Sequence, residues 1–381
     1  MKNITPINPA LNSPIMQVLF ELERLRYSDV EGSTPPWLFF DLKDTMHILE
    51  SVASARIEGN GTTLVSAVND VVENKAETRN ESLLELHNIR AGIAFIEASL
   101  HPGSDITLGM IRELHKLTVK GLKVDGSKTP GKFRTEEVVI LKSSHTPPNH
   151  IEVPILMREL IDYINTDMGR QYDIIKIATA HHRFAAIHPF DNGNGRTARL
   201  LTYAMLVQSR FIDDGARLLN PSSIFCMDRN EYYRLLSGAD QGGERNIERW
   251  CLYVANGILD EVTRVSKLLD KEFAVSTILM PVLKRAHSNK NITDNEYEIL
   301  KIAMEKNIIQ ARDVRHLFGT TASAAVQTSR VLASMRERKL LMSLPKSTNK
   351  YVMRFSNNYL LSGVLEQMND NGLLPVAPDA H

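Results

Sequence analysis

The run from His188 to Arg199, His-Pro-Phe-Asp-Asn-Gly-Asn-Gly-Arg-Thr-Ala-Arg, holds a histidine, a glycine-rich turn and two arginines within twelve residues. The stretch behind it, Thr197 to Gln208, is apolar and rich in good helix formers, so Gly193-Asn194-Gly195 falls where a helix begins. Backbone N–H groups at a helix start lack intrahelical partners, and the helix dipole favours an anion there. Glycine tolerates positive φ and lets the backbone approach a phosphate closely. Arg196 and Arg199 are three residues apart and share one helix face. A cation in the first turn stands at the unfavourable pole of the dipole, a cost of about 0.3–1 kcal/mol. Two such cations beside an amide nest suit a multiply charged anion held between them. Imidazole, with an ordinary pKa of about 6.5, lets His188 accept a proton at neutral pH. These parts hold a polyphosphate and deprotonate an attacking hydroxyl, a reaction served mostly by positioning and charge neutralisation.

Other readings of the same residues fail. Gly193 to Ala198 fits a relaxed dinucleotide fingerprint, but no apolar strand precedes it. His181, His182 and His188 lack zinc-type spacing, and His181 continues the helix face of Ile174 and Ala178 as a core histidine. Cys226 and Cys251 are the only cysteines, too few for a disulfide framework, and read as reduced.

A carboxylate elsewhere completes the pattern. Ser54-Ala-Arg-Ile-Glu58-Gly59-Asn60 ends an amphipathic run in which Leu42, Met46, Leu49, Ala53 and Ile57 share a face. Gly59 or Asn60 stops the helix, which leaves Glu58 at the wrong pole of its dipole.

The first run resembles the Fic family signature, His-Pro-Phe-x-(Asp/Glu)-Gly-Asn-(Gly/Lys)-Arg-x-x-Arg. Every fixed position matches except Asn192, which stands where the family has an acid; Asp191 fills the unconstrained place before it. The resemblance implies transfer of AMP from ATP to a hydroxyl side chain of a protein. His188 would be the general base, and Asn194 with the Gly193–Gly195 backbone would hold the α-phosphate. Arg196 would take the β-phosphate, Arg199 the γ-phosphate, and Phe190 would anchor the loop in the core. Asn192 is the metal position, and an amide oxygen is a poorer Mg²⁺ ligand than a carboxylate, so slow or weakly metal-dependent transfer is expected.

Ser54 to Gly59 resembles the family's inhibitory pattern, (Ser/Thr)-x-x-x-Glu-(Gly/Asn). It implies that Glu58 pairs with Arg199 and fills the γ-phosphate space, with Ser54 and Gly59 as the other inhibitory residues. Two alternatives stand beside autoinhibited transfer: Glu58 positioning water to remove AMP, and a weakened core acting as a DNA-binding regulator. Gly131-Lys132-Phe133-Arg134, the β-rich Val138–Leu141 and His145-Thr-Pro-Pro148 match the family's hairpin flap, placed near 136–147, which grips a target by strand addition.

The elements that position these residues are mostly helical. Helical patterns span 15–26, Leu83–Leu100, Thr107–Val119, Val153–Asn165, Tyr172–Ile187, Arg196–Ser209, Asp228–Gly238 and Asn246–Leu269. The expected fold is mainly α: a Fic-type helical core, a small β-hairpin flap and a C-terminal winged helix-turn-helix. Expected boundaries are 1–80 for a helical segment carrying the inhibitory helix at about 41–58, 81–275 for the catalytic core, and 276–381 for the winged helix and tail.

Past a linker at Ser288–Asn291, the capping box Thr293–Glu296 opens one helix. Others follow near Gln310–Leu317 and Ala322–Arg338, the last with Ala324, Thr328, Leu332 and Met335 on one face. The β-like runs Leu340–Leu344 and Tyr351–Phe355 flank a turn at 346–350. Between Arg330 and Arg354, Arg330, Arg336, Arg338, Lys339, Lys346, Lys350 and Arg354 face only Glu337, which suits either a DNA surface or a protein-binding module.

Lysine plus arginine and aspartate plus glutamate both total 45, so the chain as a whole has no charge bias toward nucleic acid or membrane. No apolar run reaches membrane-spanning length and no signal core opens the sequence, so a cytoplasmic protein is expected. The expected partner is a protein bearing a Ser, Thr or Tyr hydroxyl, the chain itself included. Self-association is left open by the sequence.

Overall fold

The computed structural model describes residues 7–27, 34–73, 80–140, 145–212, 219–345, 347–356 and 358–374. Among the described residues, eleven α-helices build the first two thirds: α1 (Pro14–Tyr27), α2 (Pro36–Glu58), α3 (Leu64–Glu73), α4 (Glu81–Ser99), α5 (Leu108–Val119), α6 (Val153–Asn165), α7 (Asp173–Ile187), α8 (Asn194–Gln208), α9 (Pro221–Cys226), α10 (Arg229–Asp240) and α11 (Glu244–Leu269). Asn80, Thr107 and Asp228 cap their helices by accepting backbone N–H bonds. The apolar stretch after the glycine turn becomes α8, buried along nearly its whole length. It runs through the middle of the bundle, with α2, α4, α5, α7 and α9 packed around it.

Helix α2 starts earlier than the apolar pattern suggests. Pro36 occupies its first turn, where a missing N–H costs nothing, and Trp37, Leu38 and Phe39 are already buried. It ends at Glu58 because Gly59 turns left-handed at φ 99°. Gly59 N–H bonds Arg56 O at 3.0 Å and Asn60 N–H bonds Ala55 O at 3.1 Å, a Schellman ending.

Beyond α11 the chain continues as α12 (Lys271–Phe273), a π-helical stretch (Ala274–Leu279) and α13 (Met280–Ser288). Pro281 has no N–H to continue the α-type ladder, and the widened turn precedes it. Ser288–Asn291 is a tight turn rather than a linker. Asn291 N–H bonds Ala286 O at 2.9 Å, and α13 packs directly on the next helix.

Then come α14 (Asp294–Lys306), α15 (Ala311–Val314), a 3₁₀ turn (Arg315–Phe318), α16 (Ala322–Glu337), the antiparallel pair β1 (Leu341–Leu344) and β2 (Ser347–Met353), and α17 (Leu360–Asp370). The capping box forms as expected: Thr293 N–H donates to Glu296 at 2.9 Å and Glu296 N–H to Thr293 at 3.3 Å. Strand β2 begins at Ser347, so the turn is shorter than 346–350; Lys346 itself lies outside the described residues. Helix α17, absent from the sequence reading, packs against α13.

The second hairpin expected at 136–147 does not form among the described residues. Residue 136 is a bend, 137–140 have no ladder partner among the described residues, and 141–144 lie outside the described residues. Strand propensity needs a neighbouring strand, and none is described beside this segment.

Two of the seven C-terminal cations are committed internally. Arg338 pairs with Glu296 at 2.6 Å. Arg354 pairs with Asp44 at 2.8 Å and with the fully buried Asp41 of α2, whose carboxylate also accepts the Phe355 N–H and the Ser356 hydroxyl. Trp37 Nε1 reaches Asn307 Oδ1 at 3.3 Å on the same side. The N-terminal half of α2 is thereby fastened to the C-terminal hairpin.

The middle of α2 carries a second buried carboxylate. Glu50 is 2% exposed and accepts the Ser222 N–H at 2.9 Å and the Ser222 hydroxyl. Burial pushes its carboxyl up to about 7, against the pull of Ser222 and Arg199. A carboxyl raised in the folded state favours folding while protonated, and that stability is lost as pH rises from its ordinary value of 4.5 through about 7. Glu50→Gln removes this dependence. The urea midpoint of the native chain should fall between about pH 5 and about pH 7.5 more steeply than that of the variant; parallel profiles would refute the assignment.

Candidate active site

The turn between α7 and α8 is built as the spacing required. Helix α7 ends at Ile187, and His188 takes the left-handed conformation at φ 50°. Such a φ is uncommon for a non-glycine residue. Burial pushes its pKa down to about 4, against the pull of the Ala185 carbonyl, so the imidazole is neutral at physiological pH. Helix α8 is capped by Gly193 at φ 72°, where an added Cβ would meet Val119 at 2.7 Å. Both the left-handed turn and the close approach require glycine here.

The loop is braced from within and from outside. Phe190 is fully buried and stacks on His115 with ring centres 3.7 Å apart. His115 accepts the Gly131 N–H on Nδ1 at 2.8 Å and bonds Asn192 O through Nε2 at 3.0 Å. Burial lowers its pKa to about 4, which keeps it neutral with one donor and one acceptor. Arg134, 4% exposed, donates to His188 O at 2.9 Å and to Glu136 O at 3.0 Å, tying the loop to the 136–140 segment. The sequence marks Arg134 within a motif without a task, and it marks no role for His115; both act on residues far along the chain.

Asn194, expected to hold a phosphate, spends its side chain inside the loop. Its Oδ1 accepts the Phe190 N–H at 2.9 Å and its Nδ2 donates to Phe190 O at 2.9 Å. The side chain closes the loop, which leaves the backbone N–H groups of Asn194 and Gly195 as the donors at the start of α8. Asn192 Oδ1 turns back onto the Gly193 N–H at 2.7 Å. Asp191 is used as well: it accepts from Ser127 Oγ at 2.5 Å, Lys128 N–H at 2.9 Å and Asn192 N–H at 3.0 Å. Among the described residues no cluster of three or more His, Cys, Asp or Glu side chains could hold a metal ion. The side-chain oxygens of Asn192 and Asp191 are thus engaged within the protein in this arrangement.

The two arginines, expected to hold one anion between them, pair with different carboxylates. The Arg199 side chain is 2% exposed; it donates to Ser54 Oγ at 2.8 Å, Ser54 O at 3.0 Å and Glu58 Oε1 at 2.6 Å. Glu58 remains one-third exposed. Burial raises its carboxyl, but Arg199, Arg196 and Arg229 outweigh that and hold it below the ordinary carboxylate range. The carboxylate lies so near the first turn of α8 that a Cβ added to Gly195 would stand 2.1 Å from Oε1. Arg196 turns to the other side, pairing with Glu85 at 3.0 Å and donating to Asp125 O at 2.7 Å, with its Nε buried and unbonded. Glu85, which the sequence did not single out, is itself held by Asn60 Nδ2 at 2.6 Å. A cavity of about 160 Å³ lies beside Glu58, lined also by Gly59, Asn60, Glu85 and Asp125.

His181 is a core residue as expected, bonded to Thr202 at 2.8 Å and Tyr232 at 3.1 Å, and burial pushes its pKa down to about 3. Cys226 and Cys251 are free thiols.

This geometry coincides with a known family. Residues 105–206 match the sequence profile of the Fic/DOC family. The match runs from just before α5 to the body of α8, so Ser54, Glu58 and Glu85 reach the Fic/DOC loop from outside the matched segment. The chain is 31% identical over 222 residues to protein adenylyltransferase Fic of Drosophila willistoni, covering 56% of this chain and 40% of the fly protein. The Drosophila virilis protein of the same name is 32% identical over 222 residues, covering 56% of this chain and 41% of that protein. The chain thus spans about two fifths of the length of these curated relatives. Its fold is that of a Fic family protein from Desulfovibrio desulfuricans G20, with a TM-score of 0.57 and 20% identity over 92% of this chain and 98% of that one. Fic-1 from C. elegans superposes with a TM-score of 0.51 at 23% identity, covering 66% of this chain and 72% of that one. No helix among the described residues is long and apolar enough to cross a membrane.

Asn194→Ala is expected to leave the buried Phe190 N–H and C=O without partners, each worth about 1–3 kcal/mol. A clear drop in Tm should appear by calorimetry; an unchanged Tm would mean the Asn194 bonds do not brace the loop.

Proposed function

We propose that the chain transfers AMP from ATP to a protein hydroxyl and is held inactive in cis by Glu58. The observation that carries the reading is the Glu58 carboxylate seated on Arg199 over the amide end of α8. One place is furnished for an anion, and the chain's own carboxylate occupies it. ATP adds negative charge to that place only when Glu58 leaves.

In this reading the glycine-turn amides hold the α-phosphate, and Arg199, released from Glu58 but still backed by Ser54, neutralises the γ-phosphate. Arg196 acts as a fixed positive charge near the β-phosphate, anchored by Glu85. His188 takes the proton of the incoming hydroxyl. The oxygen attacks the α-phosphorus, the α–β phosphoanhydride bond breaks, and pyrophosphate leaves. A base with its pKa near 4 is available at neutral pH without prior deprotonation. The 136–140 segment, with Val139 85% exposed and no ladder partner among the described residues, offers an edge on which a target backbone could add. The names of the Drosophila relatives point to the same activity, and the three-helix-plus-hairpin order of residues 294–353 supports a C-terminal winged helix.

Incubation with α-labelled ATP tests this. Glu58→Gly should raise self-labelling at least about tenfold over the native chain, the kind of gain that follows from unblocking a phosphate subsite. The double variant Glu58→Gly/His188→Ala should abolish it. Labelling that does not rise in Glu58→Gly, or that survives loss of His188, would overturn the proposal.

Asn192→Asp tests the metal position separately. A carboxylate there should make nucleotide affinity in the Glu58→Gly background depend more strongly on Mg²⁺, read by calorimetry with and without a chelator. An identical Mg²⁺ response with and without the Asn192→Asp substitution would show that this side chain does not face the phosphates.

A further inference from the structure

Helix α16 has two unlike faces. Ala324, Thr328, Leu332 and Met335 are at most 2% exposed and hold it against the C-terminal core. On the other side Ser323, Val326, Gln327, Arg330, Ala333 and Glu337 are exposed, spaced mostly three and four residues apart along a 16-residue helix. At 1.5 Å per residue this face is about 24 Å long. It runs into the hairpin without a break. Ala325, Val326, Ser329, Arg330 and Ala333 line one open depression, and Ala333 continues into a second with Arg336, Glu337 and Leu341–Ser343 of β1.

The charge around this furrow has one sign. Arg338 and Arg354 are withdrawn into internal ion pairs. Arg312, Arg315, Arg330, Arg336, Lys339 and Lys350 remain exposed, opposed by Glu337; Asp313 is already neutralised by Lys306 at 2.9 Å. The chain as a whole carries no net charge, so this concentration is local. Small residues on the helix allow close approach to a partner, and Gln327 and Arg330 carry the side-chain groups that pair with base edges. The face lacks what a protein partner uses: among its described residues no aromatic side chain is exposed, and the large exposed apolar groups are Val326 and Met342.

We propose that the outward face of α16, flanked by the β1–β2 hairpin, binds double-stranded DNA. A helix about 10–12 Å across enters a B-form major groove of about 12 Å, whereas the deep, narrow major groove of A-form RNA excludes it. Gln327 and Arg330 face the base edges. Arg312, Arg315, Arg336, Lys339 and Lys350 neutralise phosphates on either side. This site is independent of the nucleotide site and of the reading given to it.

The test uses the full chain and a fluorescent mixed-sequence DNA duplex, with anisotropy read over a range of salt. Binding should weaken steeply with salt, log K falling by about 0.9 per neutralised phosphate. Arg330→Ala/Arg336→Ala should weaken binding about tenfold or more and flatten the salt slope by about one. Arg245→Ala, an exposed cation on α11, should leave binding unchanged. Circular dichroism checks that these surface variants are folded. Four results would overturn the proposal: no duplex binding at low salt, equal weakening by Arg245→Ala, equal preference for double-stranded RNA or heparin, and a change of oligomeric state in the Arg330/Arg336 variant showing that the face joins copies of the chain.

Discussion

A buried guanidinium needs an anion, and Arg199 has one in Glu58. Its side chain is 2% exposed and lies beside the N-terminal amides of α8, where the helix dipole already favours negative charge. Stripping a partner from a buried ion costs about 3–5 kcal/mol. The amide nest and Arg199 therefore do not stay empty: either the carboxylate remains or another anion replaces it. Gly195 sharpens the exclusion, because even a methyl group there would collide with Glu58. One glycine lets the carboxylate sit on the helix start, and the same closeness keeps a phosphate from sharing the place.

The strength of that seat depends on α2 as a whole. The helix is fastened at Asp41 to Arg354 and Ser356, at Glu50 to Ser222, and at Ser54 to Arg199. From Asp41 to Glu58 is about 25 Å at 1.5 Å per residue, and each tie involves a buried polar group. Moving the helix as a body would break all of them together. Glu58 stands apart from this set. It is the last helical residue, one-third exposed, and Gly59 follows it in the left-handed region. Rotation of the side chain or unwinding of the last turn frees the carboxylate while Ser54 keeps its hold on Arg199. The fold thus separates a rigid support from a single movable charge.

What can be read from the sequence is what lies close along the chain. The glycine turn, the two arginines, the helix behind them and the stop at Gly59 follow from short spacings, which a linear pattern records. The partners do not. Glu85 reaches Arg196 across 111 positions, which no spacing in the sequence announces. His115 meets Asn192 77 positions away, and Arg134 meets His188 54 positions away. Asn194 reads as a ligand because its amide can bind phosphate. Its side chain closes its own loop because Phe190, four residues back, presents both an N–H and a C=O to it. The β-branched run at 138–140 has strand propensity without a described strand to pair with, and the polar stretch at 288–291 reads as a linker when it is a helix ending.

The C-terminal cations make the same point in electrostatic terms. A count along the sequence treats seven positive residues as one surface, yet burial divides them. Arg354 crosses 313 positions to a fully buried carboxylate on α2, and Arg338 closes onto the capping glutamate of α14. These two are structural: removing either leaves a carboxylate that is at most 7% exposed without its charge partner. The exposed ones keep their charge in water, where it is screened over about 10 Å and costs the fold little. Because Arg354 directly follows β2, the hairpin is not a loosely tethered appendage. A displacement of that hairpin must either break the Asp41 ion pair or pull on the helix whose far end carries Glu58.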